Sequence, residues 1–286
     1  MSYQIQTIDA LAYKKLFIRL PESHKGKNGS LLCIGGSPGM AGAILLAAKA
    51  ALFSGAGLIN VLMLDSNSAH VDVSLPEIMI RAPHHLVAEQ IQQISPNTII
   101  LGPGLEPNES NYKMMLQILL IDLPIVIDAG ALSLLAQYDD LMEVLKKRKS
   151  RTVLTPHPGE AAKLLKKLTL DVQKNRELSC LELVERTSAI IVLKGQETLV
   201  AEDDKTIFRC REGNSGMSSA GMGDILTGTI GALIAQAKNY KINLFNACLL
   251  GVQIHSLSAD RLVEKGIGPI GLTATEVVNE IRKLLN

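Results

Sequence analysis

Short apolar runs alternate with longer amphipathic stretches along this chain, and the alternation predicts its elements. Residues 30–34 read as a strand, broken by Gly35-Gly36-Ser37-Pro38-Gly39. A small-residue helix is predicted over 41–54 and a strand over 58–64. Further strands are predicted over 98–101, 125–127, 152–154 and 189–193. Helices are predicted over 108–120 and 160–167, and one continuous helix over 172–186. Segments 198–202 and 206–210 read as a hairpin across Asp203-Asp204. Helices over 223–237, 244–265 and 273–285 follow.

Several of these strands are continuous apolar runs without a polar alternate. That pattern belongs to strands covered on both faces by helices. The expected architecture is therefore α/β: three layers, α/β/α, around a mostly parallel sheet. Glycine-rich breaks fall just after strands, at Gly102-Pro103-Gly104, Asp128-Ala129-Gly130 and Thr155-Pro156-His157-Pro158-Gly159. In such sheets ligands bind beyond the carboxyl ends of the strands, so these breaks are expected to converge on one crevice. No linker, repeat or composition shift interrupts the pattern, so 1–286 is expected to be one domain.

Composition narrows the function classes. With 29 Lys+Arg against 28 Asp+Glu the net charge is +1, which lacks the basic footprint of a nucleic-acid binder. Five Tyr, four Phe and no Trp offer little stacking surface for single strands. At 47% hydrophobic and 20% charged residues the chain has the content of a folded core. Cys33, Cys180, Cys210 and Cys248 fit neither a zinc spacing nor a disulfide framework and read as buried thiols in a reducing compartment. No signal peptide is evident near the N-terminus and no run is long enough to span a membrane, so a cytoplasmic protein is expected. His84-His85 reads as surface loop, Met114-Met115 as core packing, and 146–149 (Lys-Lys-Arg-Lys) as a solvated helix end.

The most informative segment is Gly213-Asn214-Ser215-Gly216-Met217-Ser218-Ser219-Ala220-Gly221-Met222-Gly223-Asp224, just before an apolar helix. Small residues let backbone N–H groups approach a ligand, and the helix start adds the positive end of its dipole. Together they suit a phosphoryl group. Asp224 would sit beside that group, where a carboxylate can take the proton of an attacking hydroxyl. The plainer reading is a glycine-rich turn with Asp224 as an ordinary helix N-terminal residue.

This segment resembles the anion-hole signature of the ribokinase-like superfamily, and more closely that of ADP/ATP-dependent NAD(P)H-hydrate dehydratases. Other blocks match in order: 27–36, Ala41-Gly42-Ala43, 54–58, Gly102-Pro103-Gly104-Leu105, 127–132, 154–160 and Lys194-Gly195-Gln196-Glu197-Thr198. The resemblance implies a ribokinase-like fold and repair of hydrated NADH or NADPH. Asp224 matches the residue that contacts the hydrated cofactor and takes its hydroxyl proton. Ala43, Gly104, Glu106 and His157 match the substrate side. Lys194, Gly195, Gln196, Glu197, Thr198, Asn214, Gly221, Met222 and Gly223 match the adenine-nucleotide side. There are two departures from the pattern: Glu106 stands where the family commonly has glycine, and Ser219-Ala220 replaces a Thr/Gly pair.

The resemblance further implies Mg²⁺ on the nucleotide, ADP ahead of ATP as donor, and no metal ligands in the chain itself. It implies a separate NAD(P)H-hydrate epimerase, because residues 1–24 are too few for one, and a homotetramer. A hydroxymethylpyrimidine- or hydroxyethylthiazole-type kinase on the same fold would share Asp224 and the anion hole but keep the phosphate on its product. A nucleotide-binding sensor without turnover is the reading from another class.

Overall fold

The computed structural model of the protein describes all residues except 1, 2, 20, 69 and 204, so Asp204 of the expected hairpin turn and Met1 lie outside the described residues. The chain runs β1 (Gln4–Thr7), a short 3-10 turn (Leu11–Leu16), β2 (Ser30–Gly35), α1 (Ala41–Phe53), β3 (Leu58–Met63) and β4 (Ile78–Arg81). It continues through α2 (Val87–Ile94), β5 (Thr98–Leu101), α3 (Glu109–Leu119), β6 (Ile125–Ile127), α4 (Ala129–Gln137) and α5 (Asp139–Lys146). Then come β7 (Thr152–Leu154), α6 (Pro158–Leu165), α7 (Thr169–Lys174), α8 (Arg176–Thr187) and β8 (Ile190–Leu193). The last elements are β9 (Leu199–Ala201), β10 (Thr206–Arg209), α9 (Met222–Tyr240), α10 (Leu244–Glu264) and α11 (Ala274–Leu285).

The strands form one sheet in the order β1-β10-β9-β8-β7-β6-β5-β2-β3-β4. From β4 to β8 every neighbour is parallel, while β9 pairs antiparallel with both β8 and β10. Period-two alternation explains why the central strands read as unbroken apolar runs. On β2, Leu31 and Cys33 join the core under α1, α9, α10 and α11, while Leu32 and Ile34 join the one under α2–α8. Both faces are dry. Truncating a fully buried leucine such as Leu31 to alanine costs about 2–5 kcal/mol in such a setting.

Several elements depart from the sequence expectation. The stretch 172–186 is two helices, not one: α7 ends at Asn175, whose φ of −132° and ψ of 54° break the ladder before α8 begins. The edge strands β1 and β4 and the helices α2, α4 and α5 were not foreseen. The basic run 146–149 is not simply solvated, because the Arg148 guanidinium turns inward. It donates to the carbonyls of Leu119, Ile121 (3.1 Å) and Leu123 (2.5 Å) and to Thr152 Oγ1 (3.0 Å). His84 and His85 are exposed, and Met114 and Met115 are core residues, as expected.

The carboxyl ends of the parallel strands are stitched together by backbone hydrogen bonds. Gly36 N–H donates to Pro103 O (3.0 Å) and Ser37 N–H to Gly104 O (2.7 Å). Asp128 N–H donates to Leu101 O (3.0 Å), Thr155 N–H to Ile127 O (3.1 Å) and Lys194 N–H to Pro156 O (2.8 Å). The glycine-rich breaks therefore form one continuous rim.

Candidate active site

Helix α9 starts at this rim. Its N-cap, Gly221, has φ +86°, and a Cβ there would meet Leu46 Cδ1 at 2.6 Å and Ala274 Cβ at 3.1 Å. Only glycine allows the helix to begin so close to α1 and α11. No side chain caps the start, so its first N–H groups remain available to an anion. Asp224 lies in that first turn, partly buried, with neither an ion pair nor a hydrogen bond to its carboxylate among the described residues. Burial pushes its carboxyl up to about 6; the charge of Asp128 adds to this, Lys194 opposes it, and Glu160 adds again.

The nearest ammonium is committed elsewhere. Lys194, just past β8, places Nζ 2.7 Å from Asp128 Oδ1, and Asp128 Oδ2 accepts from Thr227 Oγ1 at 2.7 Å. Asp128 is 1% exposed and Lys194 17% by side chain. Burial pulls Lys194 down, but Asp128, Glu160 and Asp224 together outweigh it and hold the ammonium above its ordinary range. A Cβ on Gly223 would stand 3.1 Å from Lys194 Nζ, so the ammonium lies against the α9 start.

His157 follows β7 as the N-cap of α6. Its Nδ1 accepts from Gly159 N–H (3.0 Å) and Glu160 N–H (3.3 Å), and Glu160 Oε2 accepts from His157 N–H (2.8 Å). This reciprocal capping box fixes both side chains. Glu160 is 8% exposed, and burial raises its carboxyl most, with Lys194 opposing and Asp128 adding.

Beside this cluster, Gly104 has φ +65°, and a Cβ on it would meet Met40 O at 2.4 Å and Ala43 Cβ at 3.2 Å, so Ala43 and Gly104 are in direct apposition. Glu106 fits without strain: its φ is not positive, its N–H donates to Ser37 Oγ (2.9 Å), and its side chain is exposed. On the other flank, Asn214 Oδ1 accepts from Gly216 N–H (3.0 Å). Asp260 on α10 accepts from Asn214 Nδ2 (2.8 Å) and Gly213 N–H (2.7 Å). Ser219 Oγ donates to Leu272 O (2.9 Å), tying the substituted Ser219-Ala220 pair to the segment before α11. Arg176 underlies the 194–198 loop, donating to the carbonyls of Leu193 (3.2 Å), Lys194 (3.4 Å) and Gln196.

The family profile of NAD(P)H-hydrate dehydratase matches residues 31–283. The chain belongs to the NAD(P)H-hydrate dehydratase family. It is 35% identical over 281 residues to the ADP-dependent (S)-NAD(P)H-hydrate dehydratase of Neisseria meningitidis, covering 97% of this chain and 92% of that one. It is 38% identical over 283 residues to the bifunctional NAD(P)H-hydrate repair enzyme Nnr of Coxiella burnetii, covering 96% of this chain and 55% of that protein. The chain thus spans about half the length of the bifunctional relatives it matches.

Among solved structures, the Bacillus subtilis ADP/ATP-dependent NAD(P)H-hydrate dehydratase co-crystallised with ATP/Mg²⁺ superposes with a TM-score of 0.80 at 28% identity, covering 97% and 96% of the two chains. An Enterococcus faecalis ribokinase-like protein gives 0.83 at 22% identity, covering 100% and 97%, which speaks to the fold alone. The expected fold holds.

Within this dehydratase family frame, the structure brings Asp224, Gly223 and Lys194 together, with His157 joined to them through Glu160. Ala43, Gly104 and Glu106 gather on the adjoining rim. Asn214 is tied to Asp260 on α10, and the loop that continues from Lys194 to Thr198 is held by Arg176. The motif reading assigned no role to Asp128, Glu160, Thr227, Asp260 or Arg176. Asp128 and Glu160 lay inside matched blocks; Asp260 and Arg176 carry no local signal and are found only through their contacts.

Proposed function

We propose that this chain is an ADP-dependent (S)-NAD(P)H-hydrate dehydratase that restores hydrated NADH or NADPH. The observation that carries the reading is the unpaired Asp224 carboxylate at the first turn of α9, beside the Lys194 ammonium and free helix N–H groups. A carboxylate near about 6 is largely ionised at neutral pH yet basic enough to accept a proton. Asp224 takes the proton of the ring hydroxyl as its oxygen attacks the terminal phosphoryl of ADP, and AMP leaves. The α9 N–H groups and Lys194 stabilise the charge that develops on the transferred group. The ring nitrogen's lone pair then expels inorganic phosphate, and loss of a proton from the neighbouring carbon restores the double bond.

In this reading Ala43, Gly104, Glu106 and His157 contact the hydrated nicotinamide nucleotide. Lys194, Gly195, Gln196, Glu197, Thr198, Asn214, Gly221, Met222 and Gly223 face the adenine nucleotide. Among the described residues no three of His, Cys, Asp and Glu make a metal-holding group, and both oxygens of Asp128 are already engaged. Mg²⁺ carried by the nucleotide phosphates would offset charge on the transferring group, and the proton transfer rests on the chain's own groups.

The continuous ten-stranded sheet supports 1–286 acting as one unit. The Neisseria relative's name supports ADP as donor. A separate NAD(P)H-hydrate epimerase supplies the reacting epimer, and the enzyme works as a homotetramer in the cytoplasm. Among the described residues no helix is long and apolar enough to cross a membrane.

The test incubates the protein with chemically hydrated NADH, Mg²⁺ and either ADP or ATP, and follows the return of NADH absorbance. Recovery is expected, faster with ADP. No recovery, with phosphorylation of a small hydroxylated substrate instead, would replace this reading with the kinase.

A further inference from the structure

Three carboxylates, Asp224, Asp128 and Glu160, surround one ammonium, Lys194. Their roles are unequal. Lys194 Nζ is bonded to Asp128 Oδ1, and Asp128 is locked from behind by Thr227, a fully buried α9 residue one helical turn beyond Asp224. Glu160 is held by the α6 capping box. Asp224 alone has no partner among the described residues, although Lys194 lies against the neighbouring Gly223. The other ionisable groups facing this cluster are His157, which caps Glu160, and His255 on α10, which is buried against Met222 and held well down, to about 4, so that it is neutral.

We propose that Asp128 is a positioning residue for the proton transfer: it sequesters the Lys194 ammonium, so that Asp224 is left without a cation against it and can act as the base. Without the Asp128 charge, Lys194 has two carboxylates left to turn to, and Asp224 is beside it across a glycine. An ion pair there would stabilise ionised Asp224 and weaken it as a proton acceptor. Thr227 contributes by fixing the rotamer of Asp128. The inference rests on the dehydratase reading for its kinetic consequence, but not for its electrostatic one.

The variants are Asp128→Asn, which keeps the shape and the oxygen facing Thr227, and Glu160→Gln, which removes a charge without releasing the lysine. Two readouts are taken on each: the acid limb of kcat/KM with hydrated NADH and ADP, and direct titration of Asp224 by ¹³C NMR of labelled aspartate, identified by loss of its signal in Asp224→Asn. Asp128→Asn is expected to lower both by at least about one pH unit and to cut the plateau kcat roughly tenfold or more. Glu160→Gln is expected to lower them by distinctly less. Loss of the Asp128 charge lowers Asp224 directly as well, so Thr227→Val, which keeps that charge and the side-chain shape, decides the matter: it is expected to shift Asp224 in the same direction as Asp128→Asn, and an unmoved Asp224 in Thr227→Val would overturn the role. Equal shifts in Asp128→Asn and Glu160→Gln, or a fall in kcat with an unmoved limb and an unmoved titration, would overturn the role. If wild-type protein fails to turn over hydrated NADH, the dehydratase reading falls, and the NMR titration still decides whether Asp128 keeps Lys194 from Asp224.

Discussion

An ionised carboxylate without a partner in a partly buried site is under tension, and Asp224 shows the consequence at the residue scale. Its folded-state value of about 6 lies above the ordinary 3.8, so the folded protein holds a proton there that the unfolded chain releases. The sign follows: below pH ~4 the group is protonated in both states and costs nothing, and stability falls as pH rises from about 4 to about 6. Asp224→Asn removes that penalty. Allowing for partial exposure, it is expected to stabilise the fold by about 1–2 kcal/mol at pH 8 and by little at pH 4, measured by urea denaturation at both pH values. The same variant is expected to lose about 10²–10⁴-fold in kcat. Full turnover by Asp224→Asn would remove it as the base. Asp224, His157 and Lys194 were legible in the sequence because each stands in a local motif beside a strand end or helix start. The Lys194–Asp128 pair was not: its partners are 66 residues apart and meet only when β6 and β8 are placed either side of β7.

At the scale of elements, the start of α9 governs the site. Gly221→Ala would put a Cβ into Leu46 and force φ +86° on a side-chain-bearing residue. It is expected to cost about 1–3 kcal/mol by denaturation and to lower activity further than stability alone explains, because the helix N–H groups shift. Unchanged activity in a folded Gly221→Ala protein would mean that the helix start does not position the reacting groups. The strands ending at the rim were readable because burial on both faces makes each an uninterrupted apolar run closed by glycine or proline. The four-residue strand β4 was not, since its burial is mixed and the edge carries Arg81. The break between α7 and α8 was also hidden, because apolar spacing continues from Val172 to Cys180 and Leu181 while the backbone turns at Asn175.

For the molecule as a whole, two dry cores on either side of one sheet account for the chemistry of the thiols as well as for the fold. Cys33, Cys180, Cys210 and Cys248 are all buried. Burial pushes Cys33, Cys180 and Cys210 up to about 12, and Cys248 higher still. Native protein is therefore expected to leave all four unreacted with a chromogenic disulfide reagent at pH 8, and urea-unfolded protein to titrate four. Rapid reaction of even one in the native state would place a thiol outside the cores. Sheet class and ribokinase-like architecture were readable at this scale from strand–helix alternation and ordered motifs. The β9–β10 hairpin was readable too, whereas the antiparallel docking of β9 on β8 and the parallel pairing of β1 with β10 depended on pairing that periodicity does not encode.

The proposed dehydratase eliminates phosphate from the transferred product, where a kinase keeps it. ³¹P NMR of wild-type protein with hydrated NADH, ADP and Mg²⁺, read beside NADH absorbance, measures this directly. One AMP and one inorganic phosphate are expected for each NADH restored, with no phosphorylated organic product accumulating. AMP formed with the phosphate retained on the organic product, and no NADH restored, would contradict it.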